Sequence, residues 1–389
     1  MLATTAGARA NEILRSCVHC GFCNATCPTY QLTGDELDGP RGRIYLISEL
    51  LETGANEERA TQHLDRCLTC RACETTCPSG VAYGELAEIA RDRLGHKRPG
   101  MQGVLRRALA WMVPVPGRLR TMARLGRLFR WFVPKRLSKN LPPKVGRGLS
   151  TTPQHRRRVL LLNGCAQQVN TSATNEHLAQ LLDRHEIGAV TLQEEVCCGS
   201  MDLHLGDNDT GLSYMRRNVD TFYPILGEVE AIISCASGCG VTCKDYGRLL
   251  ADDPVYAYRA AAVAAKIVDV SEYLLGEDFK FEATHAGQKV AWHSPCTLQH
   301  GQQLNGGVER LLTDAGYALT GVPDGHLCCG SAGPYSILQP RLSDQLKANK
   351  LDSLLSDSPQ IIATANVGCQ THLASDSPVS VVHWIELLK

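Results

Sequence analysis

Residues 17–28 read CVHCGFCNATCP and residues 67–78 read CLTCRACETTCP. Both are C-x2-C-x2-C-x3-C-P, the spacing of bacterial two-cluster ferredoxins. Three cysteines at x2 spacing wrap a short loop around one face of a small inorganic core. The fourth lies too far along to close that loop, and the proline after it turns the chain away. The fourth cysteine of each run therefore serves the other cluster. The expected ligand sets are Cys17, Cys20, Cys23 and Cys77 for one [4Fe–4S] cluster, and Cys67, Cys70, Cys73 and Cys27 for the other. Structural zinc also takes paired cysteines, but as two C-x2-C knuckles rather than three cysteines in series before C-P. The pattern points to a protein that moves single electrons.

Working outward, much of the 39 residues between Cys27 and Cys67 reads helical, because Ile44, Ile47, Leu50 and Leu51 fall at three- and four-residue spacing and Gly54 supplies a stop. A second helix is expected from near Gly84 through Leu86, Ile89 and Ala90 to Leu94. Residues 1–95 thus form an α-helical ferredoxin module. Residues 96–155 form a basic linker broken by Pro114, Pro116, Pro134, Pro142 and Pro143. The formal charge of the 389-residue chain is zero, yet residues 91–158 hold 19 Lys and Arg against one acid, Asp92, a local net of +18. Within the linker, residues 117–133 form an amphipathic helix on a 100° wheel. Leu119, Met122, Leu125, Leu128, Phe129, Phe132 and Val133 share one side, and Arg120, Arg124, Arg127 and Arg130 the other, with Arg118 and Trp131 out of pattern. Such a helix suits an anionic lipid surface or packs on protein, its own or a partner's. No nucleic-acid-binding module accompanies the charge.

The remainder is a duplication. Cys165, Cys197-Cys198-Gly199 and Cys239 are answered by Cys296, Cys328-Cys329-Gly330 and Cys369, at offsets of 131, 131 and 130 residues. The units are taken as residues 156–287 and 288–389. Short apolar runs at 159–162, 231–234, 290–293 and 361–364 precede the cysteines, and helical stretches follow. The expected fold is α/β, with parallel strands and the cysteines at strand C-termini, where open α/β sheets place ligands. Each unit admits four readings: a further cluster, a zinc site, a redox disulfide or inert thiols. Four cysteines in duplicate register favour a metal or cluster on Cys165, Cys197, Cys198, Cys239, Cys296, Cys328, Cys329 and Cys369. Cys235 and Cys243 lie outside the repeat and read as packing residues. His293, His300, His326 and His372 lie near these motifs, as hydrogen-bonding neighbours of the thiols.

No export signal is visible at the N-terminus, free thiolates favour a reducing compartment, and no stretch approaches the ~20 apolar residues of a membrane span. The expectation is a cytoplasmic protein that meets the inner face of the membrane only from the side. There is no G-x-G-x-x-G after a strand and no phosphate-binding loop. No nucleophile, base and orienting group assemble, so no catalytic residue is assigned. The chain carries electrons, and the organic oxidation falls to a partner.

Several longer strings are more specific than the cysteine spacing: residues 17–47, 63–80, 295–300, 326–333 and 365–374. With them the chain resembles the iron–sulfur subunits of bacterial glycolate oxidase (glycolate dehydrogenase) along nearly its whole length, least in the basic linker. The resemblance implies a complex in which FAD-containing subunits oxidise glycolate to glyoxylate and this subunit passes the electrons to a quinone or another carrier. The duplicated units also resemble the cysteine-rich CCG domains of heterodisulfide reductase and of the anaerobic glycerol-3-phosphate dehydrogenase small subunit. The first of those has a fifth cysteine where this chain has Ala236 and Asn366, which counts against a five-cysteine cluster. The competing readings are a lactate or glycerol 3-phosphate donor, thiol or disulfide chemistry at the vicinal cysteines, and zinc modules that dock partners.

Overall fold

Apolar residues at helical spacing build the N-terminal module. The computed structural model describes residues 4–95, 98–129, 131, 155–277 and 279–389. Helices Thr5–Ser16, Pro40–Thr53, Glu57–Asp65 and Tyr83–Leu94 enclose one core. Ile44, Ile47, Leu50 and Leu51 all lie in that core, with Leu64, Leu86 and Ala90, and Gly54 ends its helix in the left-handed region, as the sequence predicts. The two cysteine runs pack across a local pseudo-dyad, on which the Thr76 hydroxyl donates to the Thr26 hydroxyl at 3.1 Å.

In the linker, helix Gly100–Met112 precedes helix Pro116–Leu128. The first was not legible as a separate element, although Pro114 and Pro116 mark the break between the two. The second starts where the amphipathic pattern begins, with proline in its first turn, but Phe129 already leaves it at φ −104°. The rest of the expected helix, residues 130, 132 and 133, lies outside the described residues.

The duplicated region is two parallel sheets of one topology. In the first, β1 (Arg157–Leu161), β2 (Ile187–Val190), β3 (Ile232–Ser234) and β4 (Ile267–Asp269) lie in the order β2-β1-β3-β4. In the second, β5 (Lys289–His293), β6 (Ala318–Leu319), β7 (Ile361–Thr364) and β8 (Ser380–His383) lie in the order β6-β5-β7-β8. Every pairing is parallel. Strand order reverses between β1 and β3, and between β5 and β7, the switch point where such sheets leave a crevice beyond the strand C-termini.

The two units form one body. Val159 and Leu161 of β1 enter the same core as Val290 and Trp292 of β5, with Trp384 and Leu387 near the C-terminus. Separating the units would expose these side chains at about 1.5–3 kcal/mol each. Leu160 and Leu162 point to the opposite face, into a core that holds Cys165, Cys197 and Cys198. Contacts cross between the units near the cysteines: Ser237 N–H donates to Ala365 O at 3.0 Å, and His383 Nε2 lies 2.7 Å from Cys235 O.

Candidate functional site

The two runs turn through the same strained backbone. His19 and Gly21 in the first, and Thr69 and Arg71 in the second, all have positive φ. Three of these are not glycine, so the turns carry strain that the surrounding structure must hold in place. The turns fold the x2-spaced cysteines inward. Cys17, Cys20, Cys23 and Cys77 line one hollow with Val18, His19, Pro78 and Cys73. Cys27, Cys67, Cys70 and Cys73 line another with Arg43, Leu68 and Tyr83. Each hollow therefore gathers three cysteines of one run and the fourth of the other. Among the described residues no three of these sulfurs lie within 4.8 Å of one another. Four soft thiol donors spread around a hollow suit a cluster with several irons, and are too open for one ion.

The surroundings of the hollows differ. The first reaches the surface: Cys20 is exposed, and Val18 and Phe22 beside it are 68% and 62% exposed. Burial still pushes the Cys23 thiol up to about 11. The second is sealed by protein. Cys70 and Leu68 pack with Cys296, Cys328, Tyr335 and Leu346 of the second cysteine-rich unit, and Thr75 Oγ1 lies 2.9 Å from His300 Nδ1. Burial alone would raise the Cys67 thiol, but the guanidiniums of Arg43 and Arg91, the Tyr83 hydroxyl and the Thr69 N–H bring it below its usual value. Arg43 is fully buried. Its Nε donates to His63 O at 2.8 Å, its Nη2 to Thr29 Oγ1 at 3.1 Å, and its Nη1 lies 3.9 Å from Cys27 Sγ. Asp38, also buried, holds this corner together: Arg66 Nη1 donates to it at 2.9 Å, and His63 Nδ1 lies 2.7 Å away. Sequence reasoning placed Arg43 in a helix without a role, because nothing in a linear pattern puts it beside Cys27.

In the cysteine-rich units the Cys-Cys-Gly triplet has a steric reason. Gly199 and Gly330 have φ of +89° and +86°, and a Cβ would lie 2.6 Å from Gly211 O in the first case and 2.8 Å from Ser343 O in the second. Only glycine turns the chain there. In the first unit Cys165 Sγ lies 3.7 Å from Cys197 Sγ, Asn218 Nδ2 donates to Cys197 O at 3.0 Å, and the Tyr246 hydroxyl donates to Cys198 O at 3.0 Å. Hydrogen bonding to Cys197 and Cys239 brings the buried Cys198 thiol well below its usual value. Cys239 joins the four at the start of helix Ser237–Lys244. In the second unit Cys296 Sγ lies 3.9 Å from Cys328 Sγ, and Cys329 bonds to both Cys328 and Cys369. All eight expected cysteines thus gather in two groups of four, each beyond its strand ends. Cys235 sits in the shared core, and Cys243 in the core behind the first group.

The four histidines separate into roles. His300 Nε2 lies 3.0 Å from His326 O, and His372 Nε2 lies 3.2 Å from Ser343 Oγ. These rings bond to a hydroxyl and a backbone carbonyl rather than to the thiols. His293, at the end of β5, is buried, and neither ring nitrogen has a hydrogen-bond partner. Burial first, and the Lys350 ammonium second, push its pKa well down, so the ring is neutral. In the gathering of Asp35, Asp38 and His63, Asp38 is already engaged by the Arg66 guanidinium and His63.

Comparison with known proteins agrees with this organisation. A family model described as a 4Fe-4S dicluster domain matches residues 13–81, and one described as a cysteine-rich domain matches residues 159–244 and 290–374. The glycolate oxidase iron-sulfur subunit of Escherichia coli (strain K12) is 48% identical over 384 residues, 98% of this chain and 94% of that protein. A probable glycolate oxidase iron-sulfur subunit of Bacillus subtilis (strain 168) is 31% identical, over 92% of this chain and 87% of that protein. The lactate utilization protein A of Exiguobacterium sp. is 25% identical over 50% of this chain and 82% of that protein. Among solved structures, a hypothetical protein from Helicobacter pylori superposes with a TM-score of 0.61 at 8% identity, covering 98% of this chain and 72% of that one, a likeness of fold. The helical ferredoxin module, the duplicated cysteine-rich units and full-length similarity converge: the chain belongs to the family of glycolate oxidase iron-sulfur subunits.

Proposed function

We propose that this chain is the electron-transfer subunit of a glycolate-oxidising complex, accepting electrons from FAD-containing partner subunits and passing them to a quinone or another carrier at the membrane. The observation that supports it is the pair of complete four-cysteine hollows in a chain similar from end to end to glycolate oxidase iron-sulfur subunits. Cys17, Cys20, Cys23 and Cys77 would hold one [4Fe–4S] group and Cys67, Cys70, Cys73 and Cys27 the other; when bound, each takes and gives one electron at a time. Oxidation of glycolate to glyoxylate releases two electrons at one carbon, and a flavin is the natural converter between two-electron and one-electron steps. This chain's residues hold the sulfurs at fixed places, open one hollow to the surface beside Val18 and Phe22, and seal the other behind Leu68 and Tyr335.

The membrane end of the proposal rests on helix Pro116–Leu128. Leu128 is 69% and Phe129 48% exposed, and Met122 and Leu125 are exposed too, while Arg124 stands in solvent on the other side. The helix touches the first cysteine-rich unit through Arg120 Nη2, which donates to Gln168 Oε1 at 3.3 Å, and Ala123 is its buried residue. Among the described residues, Met122, Leu125, Leu128 and Phe129 of its apolar arc stay exposed, while Leu119 is half-buried. With basic residues flanking that arc, the occupant we propose is an anionic lipid surface. Among the described residues no helix is long and apolar enough to cross a membrane.

The test is stopped-flow spectroscopy on the complex assembled with a Cys70→Ser chain. Glycolate is expected to bleach the flavin at the normal rate, while reduction of a quinone analogue fails. A flavin that no longer bleaches would overturn the downstream role of this chain. Bleaching by lactate in preference to glycolate would change the substrate and leave the relay intact.

A further inference from the structure

We propose that the second cysteine-rich unit, and not the first, holds a single tetrahedral metal ion of the zinc class, with His293, Cys329 and Cys369 as three of its four ligands. The imidazole nitrogen and the two sulfurs all lie within 4.8 Å of one another, and all three residues are buried. Tetrahedral Zn–S bonds of about 2.3 Å set neighbouring sulfurs roughly 3.8 Å apart. Sulfur pairs of that size occur in both units, at 3.7 Å for Cys165 and Cys197 and 3.9 Å for Cys296 and Cys328, so it is the imidazole that sets the second unit apart. A cubane seats each thiolate on its own iron and needs a wider set, which is how the ferredoxin sulfurs stand. One imidazole with thiolates is also a zinc donor set by softness and geometry.

Three further observations bear on this unit in particular. Both ring nitrogens of His293 are buried without a partner, and ligation would satisfy one of them. Asn366 Nδ2 donates to Cys369 Sγ at 3.5 Å, which orients that sulfur, and the Gly330 N–H donates to Cys328 Sγ at 3.4 Å. Asn366 stands where heterodisulfide reductase has its fifth cysteine. Lys350 is buried, and its ammonium donates to Asp324 O at 3.0 Å, close enough to act on Cys328, Cys329 and Cys369 and offset thiolate charge. The first unit lacks the nitrogen at this position, and its own His204 joins no gathering of three donors among the described residues. At the 131-residue offset, His293 corresponds to Leu162, which is buried in an apolar core, and no gathering of three donors arises there among the described residues.

The experiment counts zinc and iron in the full chain purified anaerobically, as wild type and as His293→Leu, which installs the residue the first unit already tolerates. Wild type is expected to carry about one zinc per chain, with zinc K-edge absorption fine structure showing both nitrogen and sulfur. His293→Leu is expected to lose zinc affinity at least tenfold while its iron count is unchanged. Iron retention reports on the ferredoxin hollows, so failure here would not touch the electron-transfer proposal. Zinc absent from wild type, a zinc site of sulfur alone, zinc unchanged in the variant, or iron lost with His293 would each overturn the assignment. The fine structure needs no variant, so it decides the question even if His293→Leu folds poorly.

Discussion

The two ferredoxin runs share spacing, strained turns and a pseudo-dyad, yet one faces solvent and the other faces protein. The first has Cys20 exposed with Val18 and Phe22 around it; the second has Arg43, Arg91 and Tyr83 at Cys67 and a cysteine-rich unit against Cys70. The cysteine-rich units diverge in the same way. The first carries the exposed amphipathic helix and Leu162; the second carries the ferredoxin contact and His293. Duplication supplied the ligands twice, and surroundings made each copy different. In an electron carrier, that is how two chemically identical sites acquire distinct potentials and distinct neighbours.

The largest effect should come from breaking the crossed arrangement. Cys77→Ser belongs to the second run by sequence but to the first hollow by geometry. It should destroy the cluster held by Cys17, Cys20 and Cys23 and spare the other, and Cys27→Ser should do the reverse. EPR of the reduced chain, with iron counted, separates the two outcomes; loss of the Cys67 signal in Cys77→Ser would refute the crossing.

Next in size is the buried corner that only the second run possesses. Asp38→Ala would leave Arg43, Arg66 and His63 without their shared carboxylate. Removing one member of a buried charged set costs about 3–5 kcal/mol, and anaerobic denaturant titration should show a loss of that order. By contrast, the exposed Arg41–Glu36 pair beside the first run should cost less than ~1 kcal/mol when Glu36 becomes Gln.

These asymmetries mark where sequence reading reached and where it stopped. Spacing made the ligand sets, the helical module, the duplication and the strand-end placement of the cysteines legible, because each is a local or periodic property. Helix Gly100–Met112 was lost in a basic, proline-bounded stretch. Arg43 and His293 were visible as letters, but their meaning depends on residues far along the chain. Leu162 against His293 was a detectable signal, since the repeat offset pairs them, and comparing the copies position by position would have found it.

A third prediction probes the helix on the first unit. Changing exposed Leu125 and Leu128 together to Asp should weaken binding to vesicles containing anionic lipid by ten- to a hundredfold, since each apolar side chain is worth about 1.5–3 kcal/mol when fully buried and these would be partly so. Thermal stability should hold, because both side chains are exposed among the described residues. Cosedimentation unchanged by the variant would assign the arc to a protein partner.

The smallest expected effect is also the most direct reading of the difference between the two hollows. Arg43 is buried with its guanidinium 3.9 Å from Cys27 Sγ and acts on Cys67. A cluster gains negative charge on reduction, so a nearby cation favours the reduced form and its removal lowers the potential. At an effective dielectric constant of about 20 a full charge some 6 Å away contributes roughly 3 kcal/mol. Asp38 lies 3.7 Å from Arg43 and cancels part of that, leaving on the order of 1–2 kcal/mol, about 50–90 mV for one electron. Arg43→Met should therefore lower the potential of the cluster held by Cys67, Cys70, Cys73 and Cys27 by about that much. The cluster at Cys17, Cys20, Cys23 and Cys77 should move far less, since Arg43 does not border its hollow. An EPR-monitored redox titration resolves the two. Equal shifts in both would mean that Arg43 acts through the fold as a whole, and a rise in potential would mean that the lost charge mattered less than the change in hydration it left behind.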